Sequence, residues 1–171
     1  METEELRVGT GWDSHPLVGG RRLVLGGVDI PYDKGLSGWS DADVAVHAII
    51  DALCGAADLG DIGTLFPSGE QGYKDISSLV LLSKINELLK AKGFVVANID
   101  VTIIAQNPEL SPFVPGMRKR ISQGLGVDST QVTVKPTTTN GLGFIGRGEG
   151  IAAHSVALIR KKWTNRTLKE A

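Results

Sequence analysis

A chain of 171 residues, 42% hydrophobic and 22% charged, has the size and composition of one soluble globular domain, which argues against a separate cofactor domain and is not the overall composition of a disordered or fibrous chain. Its net charge of −1 lacks the basic excess that grips nucleic acid by its phosphates, and its single cysteine, Cys54, rules out an intrachain disulfide. The acidic opening METEELRVGTGW holds no apolar run of signal-peptide length, and no stretch of about 18 apolar residues occurs, which points to the cytoplasm and away from a membrane.

Glycine is the outlier: 22 residues, well above the usual share of about 7%, so much of the chain is tight turn or loop. Residues 6–11 and 22–28 lean to β-structure, and Val18-Gly19-Gly20 between them signals a turn. Asp13 and His15 therefore read as belonging to a loop at the end of two strands. Ser40 and Asp43 resemble a capping box with Asp for Glu, and Val46, Ile49, Ile50, Leu53 and Ala57 recur at helical spacing, which predicts a helix over 41–57. Gly60, Gly63 and Pro67 break it into a loop. A second helix starts at Ser77 or Ser78, places Leu81, Ile85, Leu88 and Leu89 on one face, and ends at Lys90, Lys92 and Gly93. Ile99, Val101 and Ile103 alternate with Asn98, Asp100 and Thr102, the period of a half-buried strand over 94–106, expected to be the longest. Pro115 opens and Gly126 closes a short helix over 115–125. Val132 and Val134 mark a strand, 137–150 is a loop holding five glycines, and 151–159 is a last strand in which His154 reads as structural or surface-facing. The order ββααβαβ predicts one α/β (α+β) domain over 1–162, a mixed sheet covered by helices on one face, with a flexible C-terminal tail at 163–171.

Three stretches can carry chemistry. Asp13-Ser14-His15 puts two metal-ligand types two residues apart, on one side of an extended segment, although alone such a pair is more often structural or solvent-exposed. His47 lies mid-helix with Asp43 and Asp51 one turn to either side to orient an imidazole, an arrangement equally open to a histidine simply paired with an acid. One carboxylate and two imidazoles suit zinc, with the fourth tetrahedral position left for a substrate oxygen. Lys135-Pro136-Thr137-Thr138-Thr139 and the glycine-rich 140–150 offer hydroxyls and unhindered amides to phosphate oxygens, with Lys135 or Arg147 as positive charge; the bland reading is a turn-rich connection. Neither a Walker A loop nor a dinucleotide-binding glycine fingerprint is present. Ala105-Gln106-Asn107-Pro108-Glu109-Leu110 can offer main-chain groups to a planar base, or be a plain exit from a strand.

Taken together, Gly9-x-Gly11-x-Asp13-x-His15, Ser40-Asp41-x-Asp43-Val44-x-x-His47, Asp51-Ala52-Leu53, Asp61-Ile62-Gly63-x-Leu65-Phe66-Pro67, Asn98-Ile99-Asp100, Thr102-Ile103-Ile104-Ala105-Gln106, Lys135-x-Thr137-Thr138-Thr139 and Gly146-Arg147-Gly148-Glu149-Gly150 resemble the 2-C-methyl-D-erythritol 2,4-cyclodiphosphate synthases of non-mevalonate isoprenoid (terpenoid) biosynthesis. The motifs run in order over about residues 6–160. The resemblance implies a homotrimer whose sheets face a central cavity and whose active sites lie between neighbours. It implies a phosphorus–oxygen lyase in which the 2-phosphate of 4-diphosphocytidyl-2-C-methyl-D-erythritol 2-phosphate attacks the β-phosphorus, closing the cyclic diphosphate and expelling CMP. Asp13, His15 and His47 would hold zinc, and a magnesium or manganese ion would bridge the diphosphate. Thr138 would hold the diphosphate in line, with Thr137 and Thr139 beside it and Ser40 also touching substrate. Asp61, Ile62, Gly63 and the loop Phe66-Pro67-Ser68-Gly69-Glu70 would hold the erythritol moiety. Ala105, Gln106, Asn107, Pro108, Glu109, Leu110 and Ser111 would form the cytosine pocket, while Phe144 and Arg147 would make late substrate contacts and Arg147 and Glu149 would lie near the trimer axis.

Several positions depart from the family pattern. Trp39 occupies a catalytic position where a histidine usually meets a substrate phosphate, and an indole has one N–H and no positive charge. Asn140 stands where a glutamate usually ligates the bridging ion, and offers it a neutral oxygen. Ser68-Gly69-Glu70 replaces an Asp-Thr-Asp, and Glu109 a lysine. Two other functions stay open at this level: a zinc-dependent phosphohydrolase of a similar nucleotide substrate, and a trimeric binding homologue weakened in catalysis through Trp39 and Asn140.

Overall fold

A computed structural model describes residues 3–163. Strand β1 runs over Thr3–Gly19, β2 over Leu23–Leu25, β3 over Val28–Ile30 and β4 over Lys34–Leu36. Helix α1 follows over Val44–Ala57, then a single turn α2 over Ile62–Leu65 and helix α3 over Ser78–Ala91. Strand β5 covers Val95–Ile104, helix α4 Val114–Leu125, strand β6 Val132–Thr137, a second single turn α5 Gly143–Gly146, and strand β7 Gly150–Trp163. The main sheet has the order β4-β1-β7-β5-β6, with only β5 and β6 parallel, and β2 and β3 form a separate hairpin. This is an α+β domain with a mixed sheet, as expected. The tail foreseen at 163–171 lies, beyond Trp163, outside the described residues.

Helices cover one face of this sheet. Along β1, Gly9 and Gly11 are buried beneath α1 while Leu6, Val8 and Trp12 alternate onto the other face and stand 58%, 64% and 55% exposed. A Cβ on Gly9 would come within 2.0 Å of the Ala52 carbonyl oxygen, and one on Gly11 equally close to that of Ala48. Only glycine lets the helix backbone rest directly on the strand. Asp13 and His15 continue the same face, so they meet the N-terminal half of α1, where His47 sits.

Four expectations are corrected. Asp13 and His15 do not lie in a loop, because β7 supplies a continuous antiparallel ladder from Thr3 to Pro16, paired with Trp163 to Gly150, which overrides the local turn signals. The strand at 22–28 is instead two short strands turning at Gly26 and Gly27, both at positive φ. The strand at 94–106 is not the longest: β5 has 10 residues against 17 in β1 and 14 in β7. Finally, α1 is capped by Asp43, which accepts from the Val46 amide, and not by Ser40. The two glycine-rich loops also fold into the single turns α2 and α5, while the helices at 115–125 and after Ser77 form nearly as expected.

Candidate metal centre and substrate cavities

Asp13 Oδ2 lies 2.9 Å from His47 Nδ1 and 3.1 Å from His15 Nε2. The three ligand atoms fall within 4.8 Å of one another, and among the described residues this is the only group of three or more His, Cys, Asp or Glu side chains able to converge on an ion. The outer nitrogen of each ring is engaged elsewhere. His15 Nδ1–H donates to the Ser37 carbonyl at 2.6 Å, and His47 Nε2 meets Ser78 Oγ at 2.8 Å and Ser40 Oγ at 3.2 Å. A carbonyl only accepts, so the proton of neutral His15 sits on Nδ1 and its lone pair faces Asp13. Acceptors thus converge on one point, an arrangement that a shared cation satisfies and that suits zinc by ligand type and number.

With no ion bound, a proton between ring and carboxylate takes the cation's place. Burial opposes ionisation of Asp13, but hydrogen bonds from His15 and His47 together with their charge outweigh it and hold the carboxyl well below the ordinary carboxylate range. His15 is raised above the usual imidazole value, chiefly by its bond to Asp13 and against its own desolvation. Asp43 and Asp51 do not orient His47, contrary to the spacing argument. Asp43 is fully buried and turned toward the hairpin, accepting from the amides of Gly26 and Gly27, and Asp51 accepts from the Ile62 amide. Helical spacing places side chains on one side of α1, but packing against the β2–β3 turn and α2 decides where each carboxylate points. Ser78, which the sequence marked only as a helix start, takes their place.

The triad forms the floor of a cavity of about 160 Å³ walled by Trp39, Ser40, Ile62, Gly63, Phe66, Ser68, Tyr73 and Leu81. Asp61 caps α2 through the Thr64 amide at 2.8 Å, and Phe66 meets Tyr73 edge-on at 5.5 Å between ring centres. Tyr73 carried no sequence signal, since its place in the wall depends on the fold of the 66–76 loop. Pro67, Gly69 and Glu70 belong to that loop but not to the wall. A second cavity, of about 230 Å³, is lined by Ala105, Gln106, Asn107, Pro108, Glu109, Leu110, Ser111, Pro136, Thr137 and Thr138. Both open at the same end of the sheet, where Ser14, Ala152, Ile104 and Thr137 pair in one row, yet they share no lining residue.

Thr139, Asn140, Phe144 and Arg147 line neither cavity. Asn140 is exposed at φ +54, its Oδ1 accepts from Thr138 Oγ1 at 3.4 Å, and the Gly141 amide donates to Gln106 Oε1 at 3.0 Å. Lys135 is paired with Asp100 at 2.7 Å and Arg147 with Glu149 at 2.7 Å, so each basic group suggested for phosphate has a carboxylate partner within this chain. His154 stands exposed on β7 beside Trp12, as a surface residue.

Comparisons with known proteins agree with this picture. The model of the YgbB family matches residues 6–160. The 2-C-methyl-D-erythritol 2,4-cyclodiphosphate synthase of Moorella thermoacetica is 56% identical over 154 residues, covering 90% of this chain and 94% of the relative, and that of Clostridium acetobutylicum is 54% identical, covering 90% and 99%. Among solved structures, the bifunctional IspDF of Campylobacter jejuni superposes with a TM-score of 0.89 at 40% identity, covering 93% of this chain and 43% of that one. The CDP complex of IspF from Plasmodium falciparum gives 0.79 at 33% identity, covering 90% and 95%. The chain belongs to the YgbB family, that of the 2-C-methyl-D-erythritol 2,4-cyclodiphosphate synthases.

Proposed function

We propose that this chain is a lyase that converts 4-diphosphocytidyl-2-C-methyl-D-erythritol 2-phosphate to 2-C-methyl-D-erythritol 2,4-cyclodiphosphate with release of CMP, in isoprenoid biosynthesis in the cytoplasm. The observation that carries the reading is the Asp13–His15–His47 cluster at the floor of a cavity built from the family's motifs. The P. falciparum relative solved with CDP supports a cytidine nucleotide as substrate.

A 2-phosphate oxygen bonds to the β-phosphorus as the bond from that phosphorus to the CMP oxygen breaks, so electrons and charge balance with no protein nucleophile. Catalysis then reduces to holding two arms of one molecule in line. Asp13, His15 and His47 would hold zinc, which supplies Lewis-acid polarisation of the diphosphate when bound. Asp61, Ile62, Gly63 and the loop from Phe66 hold the erythritol arm at the first cavity, whose wall includes Ile62, Gly63, Phe66 and Ser68 but not Asp61, and Ser40 also touches substrate there. Residues 105–111 enclose the cytosine in the second, and the Thr138 hydroxyl steadies the phosphates between. Phe144 and Arg147 contact substrate from α5 and the turn after it. A magnesium or manganese ion would be held through the Asn140 side-chain oxygen, a neutral ligand, and would supply neutralisation of charge on the diphosphate.

Two cavities with no shared residue suit a site completed by a neighbouring copy. The open face of the sheet, with Leu6, Val8, Trp12 and Val156 exposed, supports assembly into a trimer with the sheets turned inward. The domain at 1–162 is the catalytic unit. The test is phosphorus NMR of purified protein supplied with zinc, magnesium and the substrate. Cyclic diphosphate and CMP are expected; a linear phosphate product would identify a phosphohydrolase, and absence of CMP a binding protein.

A further inference from the structure

Ser78 opens α3, 31 residues beyond His47, and is fully buried. Its amide donates to Asp41 Oδ2 at 2.9 Å and its hydroxyl donates to Asp41 Oδ1 in a short bond. A carboxylate accepts only, so this bond uses the one hydroxyl proton and leaves the Ser78 lone pairs facing His47 Nε2, 2.8 Å away. Nε2 must then carry the ring proton, and Nδ1 turns its lone pair to the Asp13 side. Ser40 Oγ stands farther from the same nitrogen, at 3.2 Å, and accepts from the Ala42 amide at 3.3 Å. For His15 the same service comes from the Ser37 main-chain carbonyl, which no side-chain substitution removes.

We infer that Ser78, its hydroxyl locked by Asp41, is a positioning residue that fixes the tautomer and orientation of His47 for metal binding. The inference rests on the zinc reading above. Helix capping does not account for the arrangement: the cap residue of α3 is Ser77, whose side chain makes no capping bond, and the Ser78 amide is satisfied by Asp41 whether or not position 78 bears a hydroxyl. A purely structural Ser78 would change stability and leave the metal untouched. Outer partners of a metal-bound histidine are worth about 10–100-fold in metal affinity.

The experiment uses the full chain stripped of metal and titrated with zinc alone against a chromogenic chelator, with no substrate. Ser78→Ala is expected to bind zinc about 10–100-fold more weakly than the parent, and Asp41→Asn, which releases the hydroxyl to rotate, to fall between them. Nitrogen-15 NMR of the zinc-loaded parent, which needs no variant, is expected to show His47 metal-bound through Nδ1 and protonated at Nε2. Equal affinity in a folded Ser78→Ala protein overturns the inference while leaving the zinc site standing, whereas a His47 proton on Nδ1 in the zinc-loaded parent removes His47 from the ligand set and overturns the inference and the zinc reading together. A parent that binds no zinc overturns both.

Discussion

The indole N–H of Trp39 donates to the main-chain carbonyl of Glu70 at 2.9 Å, while the Trp39 carbonyl accepts from the Asp75 amide at 2.9 Å. One residue thereby straps two points of the 66–76 loop, which lends Phe66, Ser68 and Tyr73 to the cavity above the triad. The single donor of the indole is committed to this loop. Trp39→Phe keeps the ring and the main-chain bond and deletes only the donor, and a neutral hydrogen bond contributes about 1 kcal/mol. KM is expected to rise about fivefold with zinc content unchanged, that being the fold-change for about 1 kcal/mol. Steady-state kinetics with an unaltered KM would remove Trp39 from the loop-holding role.

Removing a ligand from the triad strips the site of one of the three donors that converge among the described residues. Asp13→Ala and His47→Ala are expected to lose bound zinc and nearly all turnover. Elemental analysis checks this directly, and full zinc occupancy in His47→Ala would contradict the assignment.

In the proposed reading Asn140 meets the second divalent ion with a neutral oxygen, which predicts weak binding, because ligand charge is a main determinant of divalent-ion affinity. Asn140→Glu is expected to lower the magnesium concentration for half-maximal activity and to leave zinc binding alone. An unchanged half-saturation means that position 140 does not touch the ion.

Assembly is testable on the open face of the sheet. Val8 is 64% exposed and packs on nothing in the isolated chain's core, so Val8→Glu should disturb the subunit by no more than about 0.5 kcal/mol. It is expected to convert a trimer to monomers and abolish activity with it. Light scattering that finds the parent already monomeric at micromolar concentration, with full activity, contradicts a shared site.

Asp43 sets a pH dependence on stability. Its burial, reinforced by the charge of Asp41, outweighs its three amide donors and pushes it up from 3.8 to about 6. An acid whose folded value is raised contributes stability that is fully present below the unfolded value and is lost as pH rises through the folded one; here the change amounts to about 3 kcal/mol. Asparagine does not titrate. The unfolding free energy of the parent minus that of Asp43→Asn, from urea denaturation of metal-free protein, is therefore expected to fall by up to about 3 kcal/mol between about pH 4 and about pH 7. A difference flat across that interval shows that Asp43 is not raised.

Periodicity was enough for α3, α4 and the alternating face of β5, because each buries one side against a single layer and the apolar spacing records it directly. The motifs likewise identified the family and the triad, since ligand types and phosphate-loop residues are chemical requirements written in the chain itself. What sequence could not determine was anything that depends on a distant partner. β1 runs straight through His15 and Pro16 only because β7, more than a hundred residues later, offers a full ladder to pair with. Gly9 and Gly11 sit in a run that reads as β-structure, and nothing local shows that α1 will lie directly on them. The spacing around His47 nominated Asp43 and Asp51, but a helix surface specifies only which side a group occupies, and the hairpin and α2 claimed those carboxylates first. The hydroxyl that does face His47 arrives from the start of another helix, a proximity created by packing, which no local pattern encodes.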